Sequence, residues 1–384
     1  MIDSESKLGE FLTRLRVAPW IALDTEADSL HAYPEKVCLL QVSTPAGDEL
    51  IDPLAGINLN PLLDTFGGHE LIMHGADYDL RLLRKHHDFV PRAIFDTMLA
   101  SRLLGDLQFG LTNLVTQYLG VKLDKGAQKA DWARRPLTER MEIYARNDTR
   151  HLKPLADRLR AELEAKGRLS WHHESCARLI VDCSQNRQPD PDQVWRIKGS
   201  HKLSRPALAV LREVWRWRET EALAANRPPY FILAHETLVE LAGVAVTDRA
   251  IEPLLPRRIS DRRRETLLGA IKKGLAVPPR EQPDFLRPKG RRITDAHKRR
   301  MLELQQRRDT IAGKLGIDPT LIASRSMMLD LADDWERHEA GLMNWQRELL
   351  KQTHGQTPAP QQIPNAKLQT PEKQQTSSSN VRES

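Results

Sequence analysis

The stretch IALDTEADSL, residues 21–30, decides how the rest of the chain reads. An apolar run, Ile21 to Leu23, ends in Asp24, and Glu26 follows one residue later. Successive side chains on a strand point to opposite faces, so residues two apart share one. On a strand, Asp24 and Glu26 would stand roughly 6–7 Å apart on the same side and repel each other. A strand that looks buried yet finishes in paired like charges calls for something to offset them: a bound cation, a basic side chain or water.

Outward from this stretch the front of the chain reads as α/β. WIALDTEA, KVCLLQVST, DELIDP and ELIMHG, between residues 20 and 75, are rich in β-branched and apolar residues and bounded by turn residues, as strands are. Helical patterns follow in DYDLRLLRKHH, FDTMLASRLLG and LTNLVTQYLG, and a long helix is predicted from Thr138 to Lys166, with Met141, Leu152, Leu155 and Leu159 at helical spacing. Strands mixed with helices imply one mixed sheet covered by helices.

More acids sit at element ends. Asp77 and Asp79 fall where a helix begins; Asp77 suits a cap, while Asp79 lies further in. Asp96 reads as the N-cap of the helix over TMLASRLL. Tyr144 and Asp148 are four apart and so share one helix face.

Taken together, Asp24-x-Glu26, His74-x4-Asp79 and Tyr144-x3-Asp148 resemble the DEDD superfamily of 3′–5′ exonucleases. Ile143 stands five residues before the last Asp and Tyr144 four before it, which is similar to the DEDDy branch. YPEKVCLLQVS, FDTMLASRLLG and LDKGAQKADWARRPLTERMEIYARND resemble the ribonuclease D family in particular. Two residues depart from that pattern. Ala27 stands where a bulky residue is common after the Glu, and Gly126 replaces a Ser common in the LDKS stretch. The resemblance implies a ribonuclease H-like mixed-sheet domain that hydrolyses RNA from its 3′ end and releases 5′-monophosphates, with tRNA precursors or other structured RNA as substrates. It further implies two divalent cations, Mg²⁺ or Mn²⁺, held by Asp24, Glu26, Asp79 and Asp148. Asp24 would bridge both ions, and Tyr144 would orient the attacking water. Hard cations of this kind take oxygen ligands, so carboxylates suit them.

His74 reads either as a site-lining residue or as a structural histidine at a strand end. Asp131 and Trp132 are compatible with substrate contact or with anchoring a turn. His172, His173, Cys176 and Cys183 lack a CxxC pair, so a packed helix fits them better than zinc.

The charge is uneven along the 384 residues. Residues 1–170 carry 22 Lys and Arg against 25 Asp and Glu, a net of −3, and the remainder carry 36 against 27, a net of +9. A basic back half suits an anionic polymer. From about Pro189 every periodic segment is helical, and sliding residues 211–242 by 90 onto 301–332 matches 8 of 32 residues, Arg218/Arg308 and Pro229/Pro319 among them. A repeat of that length fits two copies of a small helical domain, and the first copy resembles the HRDC domain (helicase and ribonuclease D C-terminal). The expected organisation is a nuclease over 1–170, a helical linker over 171–204, helical domains over 205–285 and 290–354, and a disordered Gln/Pro/Ser-rich tail over 355–384. Trp195, Trp215 and Trp217, in the Trp-rich segment from WRIKG to WRWRE, suit a helical core better than a stacking surface.

Three cysteines argue against a disulfide framework and for a cytoplasmic setting. No apolar run reaches the roughly 20 residues of a membrane helix, and MIDSESKLGEFL is unlike a signal peptide. A monomer is expected. Two other classes compete: an inactive nuclease fold serving as a nucleic-acid scaffold, and an exonuclease that also takes single-stranded DNA. The complete set of Asp24, Glu26, Asp79, Asp148 and Tyr144 argues against the scaffold.

Overall fold

The computed structural model describes residues 1–124, 126–185, 190–247, 249–285 and 294–351. The tail expected over 355–384 and residues 286–293, which include the start of the basic stretch RPKGRRITDAHKRR (287–300), lie outside these residues.

Helix α1 (Glu5–Leu15) leads into a five-stranded sheet of order β3-β2-β1-β4-β5. Its strands are β1 (Ile21–Ala27), β2 (Val37–Thr44), β3 (Gly47–Ile51), β4 (Glu70–Met73) and β5 (Ala93–Asp96). β1 runs antiparallel to β2 and parallel to β4, so the mixed sheet expected from the sequence is present with β1 at its centre. All eight residues of β2 are buried, the polar Gln41, Ser43 and Thr44 among them. Four strands follow the sequence reading. The fifth, β5, was not anticipated, because AIFD is too short to show a period of two.

Helices α2 (Asn60–Gly67) and α3 (Asp77–His87) flank β4, while α4 (Thr97–Leu104) and α5 (Leu111–Leu119) follow β5. Asp96 ends β5, caps α4 through the N–H groups of Met98 and Leu99 (2.8 and 3.1 Å), and also accepts from Gly75 and Ala76 (3.1 and 2.8 Å). One buried carboxylate thus clamps the β4–α3 corner to the β5–α4 corner. Gly75 turns that corner at φ 66°, a conformation that favours glycine.

The long helix predicted over 138–166 is in fact two. It breaks at His151 into α6 (Glu139–Arg150) and α7 (Leu152–Ala165). Pro154 lacks the N–H that would continue the ladder to Arg150, and its ring crowds that carbonyl. α6 lies across β1, β2 and β3, with Ser43 and Thr149 hydroxyls 2.7 Å apart and Met141 and Ala145 packed with Leu39, Leu50 and Trp132. α8 (Leu169–Ser184) packs on α3, α4 and β5, and its Cys176 and Cys183 join the nuclease core.

Two helical units follow. The first holds α9 (Arg205–Ala225), α10 (Pro229–Ile232), α11 (His235–Val244) and α12 (Asp261–Leu275). The second holds α13 (Asp295–Leu315), α14 (Pro319–Ile322), α15 (Arg325–Asp333), α16 (Trp335–His338) and α17 (Asn344–Lys351). The first three helices of each begin 90 positions apart: Arg205 and Asp295, Pro229 and Pro319, His235 and Arg325. The matched residues also do the same work. Arg218 donates to the Leu233 carbonyl (3.4 Å) and Arg308 to the Ala323 carbonyl (3.0 Å), and each pairs with the acid after it in sequence. Trp195 and Trp217 lie in the core of the first unit, with Trp215 packed against it.

The units differ in how they join the nuclease. The second shares its core, where Leu304, Ile317, Ile322 and Trp345 pack with Leu103, Leu155 and Leu159. Arg168 ties the two by donating to the Leu103 and Leu315 carbonyls, both at 2.7 Å. The first unit has its own core and grips the loop after β1, where the Tyr33 hydroxyl donates to Glu219 (2.6 Å) and the Tyr230 hydroxyl to the Leu30 carbonyl (3.3 Å). Among the described residues no helix is long and apolar enough to cross a membrane.

Candidate active site

The strand order brings the acids together. β1 carries Asp24 and Glu26 on the face that α6 covers, and α6 returns Asp148 to them, so that oxygens of Asp24, Glu26 and Asp148 all lie within 4.8 Å of one another. Among the described residues they form the one such group of possible metal ligands. Thr25 points to the opposite face and donates its hydroxyl to Asp79 in the first turn of α3, which fixes that carboxylate at the strand end. Asp24, Glu26, Asp79, Tyr144 and Asp148 line one cavity of about 440 Å³, a common size for a ligand site.

Nothing basic offsets this charge. Among the described residues none of Asp24, Glu26, Asp79 and Asp148 is recorded in an ion pair with Lys, Arg or His. Burial first, then the neighbouring carboxylates, raises Asp24 well above its usual value. The same two causes push Glu26 to about 9. Burial also raises Asp79 to about 6 and Asp148 to about 7, against the hydrogen bonds from Thr25 and Tyr144 that pull them down. Burial and the surrounding acids push the Tyr144 phenol up as well, so it keeps its proton. Three carboxylates held this close without a basic partner, with Asp79 lining the same cavity, fit a hard divalent cation.

His74 lines the cavity and places Nδ1 2.9 Å from the Thr97 hydroxyl; burial holds it below its usual pKa, so it brings no charge. Trp132 is buried with its ring 6.0 Å from that of Tyr144, and Asp131 accepts from the Ala133 N–H, so both serve the turn that backs the tyrosine. His172 places Nε2 3.0 Å from the Asp96 carbonyl and packs on Phe95, a buried structural histidine. Cys183 contacts Asp77, which pairs with Arg81 at 3.0 Å.

Some lining residues went unremarked in the sequence. Asn147 is one; its position three after Tyr144 on the same helix was a signal that pointed to it. Gln128 comes from a turn, and Thr112 and Asn113 from the first turn of α5, whose helical pattern does not say that it faces the cavity.

The comparisons agree with this geometry. The pattern of the 3′–5′ exonuclease family matches residues 1–164, and that of the HRDC domain matches 207–250. The chain is similar to ribonuclease D of Zymomonas mobilis, 38% identical over 267 residues, a match that spans 68% of this chain and 65% of that protein, just under two thirds of its length. It is 30% identical over 346 residues to ribonuclease D of a Jannaschia species, spanning 86% of this chain and 88% of that protein. In fold it is similar to Escherichia coli ribonuclease D, described as an exoribonuclease involved in structured RNA processing, with a TM-score of 0.71 and 24% identity over 93% of this chain and 99% of that one. With this acid cluster at the sheet centre and these matches along its length, the chain belongs to the ribonuclease D family of 3′–5′ exoribonucleases.

Proposed function

We propose that the protein trims RNA from the 3′ end one nucleotide at a time, releasing nucleoside 5′-monophosphates, with tRNA precursors and other structured RNA as its substrates. The observation that carries this reading is the set of Asp24, Glu26 and Asp148 oxygens within 4.8 Å of one another, with Asp79 lining the same cavity and, among the described residues, no basic side chain paired to any of them. The DEDD superfamily is divalent-metal dependent, and we assign to these four residues two ions, Mg²⁺ or Mn²⁺. When bound, such ions lower the pKa of a coordinated water and neutralise charge that builds up on the phosphate.

The chain's own residues then have separable tasks. Asp24, at the centre of the cluster, and Glu26 are held by the central strand, so their separation is set by the backbone. Asp79 is oriented by Thr25 and Asp148 by Tyr144. Tyr144, protonated and backed by Trp132, positions the attacking water through its hydroxyl rather than removing its proton as a phenolate. The basic helical units hold the strand upstream through phosphate contacts that do not read sequence. The organisation belongs to the same reading: a nuclease over 1–170, helical domains over 205–285 and 290–354, acting as a monomer in the cytoplasm.

RNA labelled at the 3′ or 5′ end, and matched DNA, incubated with Mg²⁺, Mn²⁺ or EDTA, tests the proposal. Stepwise shortening from the 3′ end of RNA that EDTA abolishes is expected. Shortening from the 5′ end, or unchanged cleavage in EDTA, would refute it.

A further inference from the structure

The catalytic cavity holds acids and neutral groups, yet its substrate is a polyanion. Phosphates beyond the one being cut need cations supplied by the chain nearby. α6 carries three arginines besides its terminal turn acids and the site residues: Arg140, Arg146 and Arg150. Two of them are committed, since Arg146 donates to the Asp48 carbonyl and Arg150 pairs with the Asp48 carboxylate at 2.5 Å. Arg140 has no ion pair recorded among the described residues and is exposed.

Its position is specific. Arg140, Tyr144 and Asp148 are spaced by four along α6 and so share one face, with Arg140 one turn before the tyrosine. Arg140 lines a second cavity of about 360 Å³ that shares Asp124, Tyr144 and Asn147 with the catalytic one, and so opens directly beside it. Glu139 and Asp124 also line it, but neither is recorded as paired with the guanidinium among the described residues. A Cβ at Gly126 would fall on the Arg140 guanidinium, so a side chain there would push the arginine's tip out of the place it holds beside the cavity.

We propose that Arg140 is a substrate-anchoring residue that holds a second phosphate of the RNA backbone, next to the scissile one, and that Gly126 makes room for it. This rests on the exoribonuclease reading of the main cavity. A planar guanidinium fits a phosphate with two parallel hydrogen bonds, which fixes the register of the strand as well as its charge.

The test compares a 12-nucleotide RNA with a nucleoside 5′-p-nitrophenyl phosphate, which has a single phosphate and cannot reach the second cavity. Wild type, Arg140→Ala, Arg140→Lys and Gly126→Ser are measured with Mn²⁺, and Mn²⁺ affinity is followed by calorimetry. Arg140→Ala should raise KM for RNA about tenfold, the size of one lost phosphate contact, and lower the preference for RNA over the ester by a similar factor. The slope of log KM against log salt should shrink by about 0.7, as expected for one contact on a single strand. Arg140→Lys should recover part of the loss, and Gly126→Ser should raise KM for RNA in the same direction. Hydrolysis of RNA and ester falling in parallel, or a loss of Mn²⁺ affinity in Arg140→Ala, would mean that the arginine only supports α6 and overturns the proposal. An RNA KM within twofold of wild type in both Arg140→Ala and Gly126→Ser would do the same. Wild type that cleaves neither substrate would instead overturn the reading on which the proposal rests.

Discussion

Glu213 and Glu221 on α9 are 4% and 5% exposed, and Asp79 beside the catalytic strand is 6% exposed. Burial alone does not separate them, but their surroundings do. Glu213 is paired with Arg212, Arg216 and Lys273 at 3.3, 2.8 and 2.7 Å, and Glu221 with Arg262 and Arg263 at 2.5 and 3.0 Å. Burial pushes both glutamates up, but these partners outweigh it and hold both carboxyls below their usual range. In the nuclease cavity burial acts on Asp24, Glu26, Asp79 and Asp148 without such partners, and all four rise. The helical domain brings its own cations to its acids. Among the described residues the nuclease pairs no such cation with its own acids, and that is the place the proposed ions would take.

Substitutions in the two regions should therefore fail in different ways. Asp24→Asn removes a ligand and one repelling charge together. Its exonuclease rate should fall by at least about a thousandfold, the scale of losing a catalytic group, while circular dichroism and thermal melting show a fold at least as stable as wild type. A melting temperature well below wild type would mean that Asp24 is structurally compensated after all. Tyr144→Phe keeps the ring packed on Trp132 and removes only the hydroxyl. A kcat lower by about 10–100-fold with a smaller change in KM is expected, read in single-turnover assays on labelled RNA.

Glu221→Gln is the counterpart in the helical region. It leaves Arg262 and Arg263 facing an amide and should loosen the contact between α9 and α12, visible as faster hydrogen exchange in both helices. Hydrolysis of a nucleoside p-nitrophenyl ester should stay within twofold of wild type. A large loss there would erase the distinction between the regions.

The smallest effect is on pH. Asp79, Asp148 and Glu26 have folded values raised to about 6, 7 and 9, above those of the unfolded chain near 4. Such groups favour the folded state fully below about pH 4, and that contribution is lost as pH rises from about 4 to 9. In EDTA the melting temperature should decline over that window, by roughly 2–4 °C per kcal/mol lost in a domain of this size. Mg²⁺ should flatten the decline, and a flat profile in EDTA would argue against an uncompensated cluster.

Much of this was legible in the sequence because the chemistry is written at fixed periods. Asp24 and Glu26 share a strand face, and Tyr144 and Asp148 share a helix face, whatever the fold around them. The 90-residue repeat was legible because Arg218 and Arg308, like Pro229 and Pro319, hold equivalent places in two copies. Other features depend on what a residue meets. Apolar periodicity runs through His151, so the break ahead of Pro154 was hidden behind a continuous pattern. Ile322 and Trp345 read as ordinary helix-core residues, and nothing local says that their core is shared with the nuclease. The lone charge of Arg140 could be recognised only once Arg146 and Arg150 were seen to be engaged by Asp48.

Calorimetric titration of Mn²⁺ at pH 7.5 into wild type, Asp24→Asn and Glu221→Gln tests the central contrast most directly. Wild type and Glu221→Gln should bind the ion alike, and Asp24→Asn should lose that binding. Equal Mn²⁺ binding by wild type and Asp24→Asn would contradict the account.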